Sequence, residues 1–260
     1  MLWSLAIVGA GMSDSPRAPR PHAPRIGLAV GLLLTASVTI GLGIWQVRRN
    51  AVKQAWIADM HARLAAAPAP IESALADPNG FAFRRVVAKG TLRPADSILV
   101  DHQNVGPHEG AHVVTPLELP GRERLLLVDR GFVAFGEGDR FAAGEAARAP
   151  EPARIEGAIE PLVREELAPG DAAAPAARLL HWNRLHLGAL ERQLGRPVEP
   201  VLLVRAPEPG DPESAPLAAL PEPRSRVDHV EYAITWFAIA GIATAIAAFE
   251  LLRPRLGAAG

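Results

Sequence analysis

The sequence predicts an α+β membrane protein, a two-helix transmembrane hairpin with a large β-sheet-rich domain in the loop between its spans. Three observations predict it. From Ile26 to Val47 the segment IGLAVGLLLTASVTIGLGIWQV carries no charge for 22 residues; at 1.5 Å per residue that is roughly 33 Å of helix, enough to cross a bilayer core. A second uncharged run, YAITWFAIAGIATAIAAF, fills the 18 positions between Glu231 and Glu250 and extends through Leu251 and Leu252, near the lower limit for a span. Between the two, stretches rich in Val, Leu and Phe alternate with Gly, Pro and Asp, the punctuation of β-strands.

Residues 1–25 read as a cytoplasmic leader. MLWSLAIVGAG lacks the basic start of a signal peptide and precedes a Pro/Arg-rich segment, so Met12 is the expected start of translation. The spans are expected over 26–47 and 229–252, with the loop domain at 48–228 and a short cytoplasmic tail at 253–260. Arg17, Arg20, Arg25, Arg253 and Arg255 flank the outer ends, while Arg48, Arg49, Lys53, Arg224 and Arg226 flank the loop ends. Flanking charge therefore balances. Long translocated loops escape the positive-inside rule, which favours cytoplasmic termini and an exported loop.

Val52, Trp56, Met60 and Leu64 recur at helical spacing, so the first helix is expected to run on into the loop domain until Pro68 and Pro70 stop it. Strands are predicted at 83–92, 97–104, 112–119, 124–135, 153–163 and 200–206, the first four as consecutive antiparallel neighbours. HWNRLHLGALERQLG (181–195) carries Leu185, Leu187, Leu190 and Leu194 at the spacing of a short helix closed by Gly195. Three Ala/Pro/Gly/Glu-rich segments, 136–153, 168–177 and 206–223, are expected to stay outside the core as mobile connections.

Composition excludes several chemistries. With no cysteine there is no disulfide, CxxC redox pair, thiolate copper relay or covalent haem attachment. Met1, Met12 and Met60 are the only methionines, a poor basis for thioether copper sites. A net charge of -1 without a basic stripe argues against nucleic acid. No G-x-S-x-G, H-E-x-x-H, P-loop or Rossmann glycine pattern is found, and the chain is not expected to be an enzyme.

The candidate residues gather at the loop-side ends of the spans. Trp45 ends the first; Tyr232, Trp236 and Phe237 begin the second. An aromatic belt at headgroup level explains such rings without any function, and Phe237 is assigned to it. The belt does not explain His229, Glu231, Gln46 or Arg49. His229 reads either as a solvated flank or as a ligand: neutral imidazole is a common axial ligand of haem iron, Trp45 and Trp236 would wall an apolar slot, and Arg49 would meet the propionates. Gly27 and Gly31, with Ala240, Thr244 and Ala248, form small-residue tracks that allow close helix approach. In the loop, His108, Glu109 and His112 of GPHEGAHVV read as turn residues rather than metal ligands. Arg130 and Gly131 of RGFV read as structural, the arginine pairing with a carboxylate and the glycine tolerating a bend.

GLGIWQVRRNAVKQAWI resembles the LGxWQxxRxxWK signature of the surfeit locus 1 family, assembly factors for cytochrome c oxidase. FRRVVAKGTL, GAHVVTPLEL, LLVDRGFV and DHVEYAITWF are similar to further motifs of that family, in the same order. The sequence departs from the pattern at Ala51 to Lys53, where a tryptophan and a lysine are usual, at Asp228 for Asn and at Val230 for Leu. The resemblance implies an assembly factor in a bacterial inner membrane whose client is oxidase subunit I, with haem a as a transient cofactor and haem a synthase as a further partner. It places the family's second-span histidine on His229, beside Tyr232 and Trp236; Asp228 is expected to raise that histidine's proton affinity. The alternative is a scaffold that holds an assembly intermediate without touching haem. A two-span sensor would need an output domain where only eleven residues follow Phe249.

Overall fold

The computed structural model describes residues 23–105, 108–163, 178–211, 216–222 and 229–256. The expected leader and start at Met12, the connection at 168–177, Asp228 and the end of the tail lie outside them. The chain forms two compact units: residues up to Lys53 together with those from Ser225, and Gln54–Arg224.

The first unit is built on helix α1 (Ala23–Ala65), whose C-terminal part belongs to the second unit, and helix α5 (His229–Leu256). Both are long and apolar enough to cross a membrane. In α1 the shielded positions are Ala29, Leu32, Ala36, Thr39, Gly43 and Gln46, and in α5 they are His229, Ala233, Trp236, Ala240, Ala243 and Ala247. Steps of three and four alternate without a break on both helices, the heptad spacing of a left-handed helix pair. Ala36, Ala240, Ala243 and Leu32 form its packed centre. Small side chains at these sites let the backbones approach, as they do where no hydrophobic drive separates helix from lipid. The seam differs from the expected tracks. A Cβ on Gly27 or Gly31 would meet nothing within 4 Å, and Thr244 and Ala248 face outward, because the seam follows a seven-residue repeat rather than a four-residue one. For the same reason Val52 and Trp56 are exposed, whereas Met60 is buried.

The second unit is an eight-stranded mixed sheet that closes on itself. Its strands are β1 (Ala69–Pro70), β2 (Arg85–Leu92), β3 (Ile98–Val105), β4 (His108–Glu118), β5 (Leu125–Ala134), β6 (Glu151–Pro161), β7 (His181–Trp182) and β8 (Val198–Arg205), in spatial order β1-β2-β6-β8-β5-β4-β3-β7. β2 also meets β4, with Thr91 facing Glu118 and Leu92 facing Leu117. This closes a ring of β2, β6, β8, β5 and β4. Only β3, β4 and β5 follow the expected consecutive antiparallel order. β2 instead pairs along its length with β6, and β5 runs parallel to β8.

Side-chain alternation then sorts the core. Val86 and Ala88, Leu126 and Val128, Ile155 and Ile159, and Val201 and Leu203 point into the ring, joined by Ile71 and Ala74 of α2 (Ile71–Ala76). The opposite face of β5 and β8, with Leu127, Leu202 and Val204, packs on Trp182 and on Leu187 and Leu190 of α4 (Leu187–Leu194). Gly195 closes that helix in the left-handed region at φ 66°. β5 is thus covered on both faces, which accounts for the unbroken LLLV at its start.

One of the segments expected to stay outside the core contributes to it, and another is only bridged to a strand. Within 136–153, α3 (Gly138–Ala146) buries Ala142 and Glu145, and Ala142 packs with Leu99, Val113 and Val133. Alanine supplies enough apolar surface when its helix lies flat on a strand. In the 206–223 stretch, Leu217 pairs with Phe132 of β5 in an isolated antiparallel bridge.

Gly43 tests the seam. A Cβ there would lie 2.6 Å from Cε1 of Phe237, so Gly43→Leu should lower stability by about 1–3 kcal/mol through overpacking. Gly41, where a Cβ would meet nothing within 4 Å, should accept leucine without loss. Thermal unfolding of the two variants beside the parent checks the difference.

Candidate functional site

The heptad seam determines what stands at its last described layer. Gln46 of α1 and His229 of α5 occupy equivalent positions on facing helices, and His229 Nδ1 lies 2.8 Å from Gln46 Oε1. With the amide oxygen as acceptor, Nδ1 donates and Nε2 carries the lone pair in the neutral ring. An oxygen acceptor on one ring nitrogen is how metal-ligating imidazoles are oriented through the other. The half-buried His229 can therefore act either as a helix-to-helix tie or as a held ligand.

The other predicted residues at this end divide between seam and outer face. Trp236 lies on the seam, half-buried, whereas Tyr232 is 55% exposed and Trp45 53% exposed. The Arg49 guanidinium lies over the Trp45 ring at 5.8 Å. Contacts thus join His229 with Gln46 and Arg49 with Trp45. Phe237, read from sequence as a belt residue, also has a packing role, since its ring occupies the space left by Gly43. The signal for it was present: a glycine seven residues beyond Ala36 leaves a hole that a ring can fill.

In the second unit the RGFV motif forms a β-bulge. Val113 faces Gly131 and Val114 faces Asp129, so Arg130 is the extra residue. The bulge turns the Arg130 side chain onto Phe141 and into an ion pair with Glu145, which is 5% exposed and also pairs with Arg148 at 2.7 Å. Gly131 stands at φ 126°, and a Cβ there would meet the backbone of Leu217 at 2.5 Å. Asp129, just before the bulge, accepts the Gly131 N–H at 2.9 Å on one oxygen and faces His112 Nδ1 at 2.7 Å with the other. The turn expected at His108, Glu109 and His112 is instead strand β4, paired through β5, and no cluster of three metal-ligating groups occurs among the described residues. Sequence reasoning missed the His112–Asp129 pair because the two residues meet only through the register of β4 and β5.

The comparisons decide the family. The profile of the SURF1 family matches residues 33–241, from the first third of α1 to the middle of α5. The chain belongs to the SURF1 family. It is 29% identical over 242 residues to a SURF1-like protein of Monosiga brevicollis, covering 86% of this chain and 87% of that one. It is 25% identical to human Surfeit locus protein 1 over 233 residues, 80% of this chain and 72% of that one. A SURF1-like protein of Rickettsia conorii is 26% identical over 217 residues, 80% of this chain and 85% of that one. The SURF1 match takes in parts of both helices, the bulge and the His229–Gln46 pair.

Two outcomes follow from these contacts. Gly131→Ala should cost about 1–3 kcal/mol from backbone strain at a positive φ and loosen the Leu217 bridge, read as a lower unfolding midpoint. His181 links β3 to α3, with Nε2 2.6 Å from Asp139 and Nδ1 2.9 Å from Asp101. The hydrogen bond to Asp139 raises its proton affinity, desolvation opposes this, and Asp101 adds to the rise. Its stabilisation is therefore full below the unfolded value of about 6.5 and is lost as pH rises through the raised folded value. Amides of α3 should exchange faster, after correction for intrinsic rates, above that window than below it, and His181→Gln should flatten the dependence.

Proposed function

We propose that this chain is an assembly factor for haem-copper cytochrome c oxidase that assists haem a insertion into, or stabilisation of, subunit I, and is not itself an enzyme. In this reading α1 and α5 form a transmembrane hairpin in a bacterial inner membrane, and the sheet domain faces the periplasm. Oxidase subunit I is the principal partner and haem a synthase a further one. Membership of the SURF1 family and two helices long and apolar enough to span support the frame.

The observation that carries the haem reading is the His229–Gln46 hydrogen bond at 2.8 Å. Haem iron takes an axial imidazole nitrogen, and the donor present fits, because Gln46 engages Nδ1 and leaves Nε2 as the ligating atom. Arg49 would meet the propionates, while Trp45, Tyr232 and Trp236 would supply apolar walls and exclude water. Arg49 would exchange its place over the Trp45 ring for a carboxylate, a stronger charge-assisted contact. The same hydrogen bond also supports the alternative, a scaffold that holds an oxidase intermediate without haem, since it already ties the two helices together.

An absorbance spectrum of the full chain purified after coexpression with haem a synthesis, beside His229→Ala and Gln46→Leu, separates the two. The haem reading expects a haem a spectrum in the parent, its loss in His229→Ala and a weakened or shifted band in Gln46→Leu. Identical or empty spectra in all three, with oxidase assembly intact in the His229→Ala strain, would leave the scaffold reading standing.

A further inference from the structure

A cleft of about 650 Å³ opens on the outer face of the ring, within the second unit. That size is typical of sites for small organic ligands. Its walls are apolar, with Val114, Leu202 and Val204 from the sheet and Leu185 and Leu217 from the segments above it. Its polar floor is made by His112, Asp129 and Glu160, from three different strands. Asn183, Arg184 and Glu222 also border the cleft.

The floor is not balanced in the same way. Asp129 is 6% exposed and has both oxygens engaged, by the Gly131 N–H and by His112 Nδ1. Since the carboxylate can only accept, Nδ1 carries the hydrogen, and Nε2 is an acceptor when the ring is neutral. Glu160 is half-buried beside this pair, and its carboxyl group has no hydrogen bond or salt bridge among the described residues. Burial pushes its carboxyl above the usual carboxylate range; the charge of Asp129 adds to this, and His112 opposes it. A half-buried carboxyl group without a partner among the described residues opposes folding, as residues kept for binding often do.

We propose that this cleft binds a small amphipathic amine, its ammonium group donating to the Glu160 carboxylate and to His112 Nε2 and its apolar body lying against Val114, Leu202 and Val204. The donor-rich cation is what the floor lacks: it pairs with the Glu160 carboxylate and offers hydrogens to two acceptors. An anion would meet Asp129 and Glu160 as like charges. A neutral alcohol would supply one donor without relieving the unpaired charge. The site is separate from the His229–Gln46 pair, and the proposal does not rest on the role in oxidase assembly.

The test uses the full chain in zwitterionic lipid nanodiscs, with empty discs subtracted, titrated calorimetrically with phenethylamine, phenethyl alcohol and phenylacetate. Saturable binding of one phenethylamine per chain is expected, with at least tenfold weaker binding of the alcohol and the carboxylate. Glu160→Gln should weaken phenethylamine binding at least tenfold while leaving the unfolding midpoint unchanged or higher, because it removes the unpaired carboxyl. Absence of saturable binding, equal affinity for the three probes, or full affinity in a folded Glu160→Gln variant would overturn the proposal. If that variant does not fold, the ranking of the three probes on the parent chain decides it.

Discussion

The sheet domain depends on a short closure: Thr91 and Leu92 of β2 facing Glu118 and Leu117 of β4. Without it the five strands would form an open sheet with two free edges and a one-sided core; with it they enclose one. The chemistry around the contact supports the geometry. Gly90 lets the Glu118 carbonyl come closer than any side chain would allow. The Glu118 carboxylate is shared by Arg93, at 2.8 Å, and Arg196, which ties the ends of β2 and β4 to the turn before β8. Closure also sends one face of each ring strand inward, leaving the outer face of β5 and β8 to be covered by α4 and, beyond it, to line the cleft.

Strand β5 carries the consequences of that arrangement. Its first half is buried on both faces and runs parallel to β8; at the bulge it leaves β8, with Asp129↔Val204 the last pair, and goes on with β4 and Leu217. Three consecutive residues acquire separate tasks there. Asp129 holds His112, Arg130 reaches the buried Glu145 of α3, and Gly131 admits the Leu217 backbone. The buried Glu145 carboxylate is tolerable because two arginines meet it, whereas a single unpaired charge would not be. Glu160 shows the contrast: among the described residues this carboxyl has no such partner.

The helical unit obeys a different constraint. Its seam is made mainly of Ala, Gly and Thr, which bury little area but bring the backbones close. Thr39 bonds its hydroxyl to the carbonyls of its own helix, and at the Gln46 end Gln46 and His229 satisfy one another. Large apolar side chains such as Leu34, Val38, Ile234 and Ile242 point outward, an arrangement that suits a lipid surround and would be costly in water.

The sequence by itself determined the elements and the family. Strand stretches, the glycine that ends α4, the long helix ended by prolines and the apolar runs are local properties, written in period, charge and turn chemistry, and the motifs around Trp45, Arg130 and His229 identify SURF1 kinship. Local patterns also misled where composition stood in for contact, as in the Ala-rich α3 and the Gly27–Gly31 track. Only the tertiary structure decided which edges pair, that β2 seeks β6 rather than β3, that the seam runs through Ala36 and Gly43, and that Gln46 meets His229 across 183 residues of chain. The physical reason is common to all of these. A strand's preference for extended backbone and a helix's for its repeat are paid residue by residue, but a partner is chosen by shape and unmet hydrogen bonds, which exist only once the rest of the fold has brought the two surfaces together.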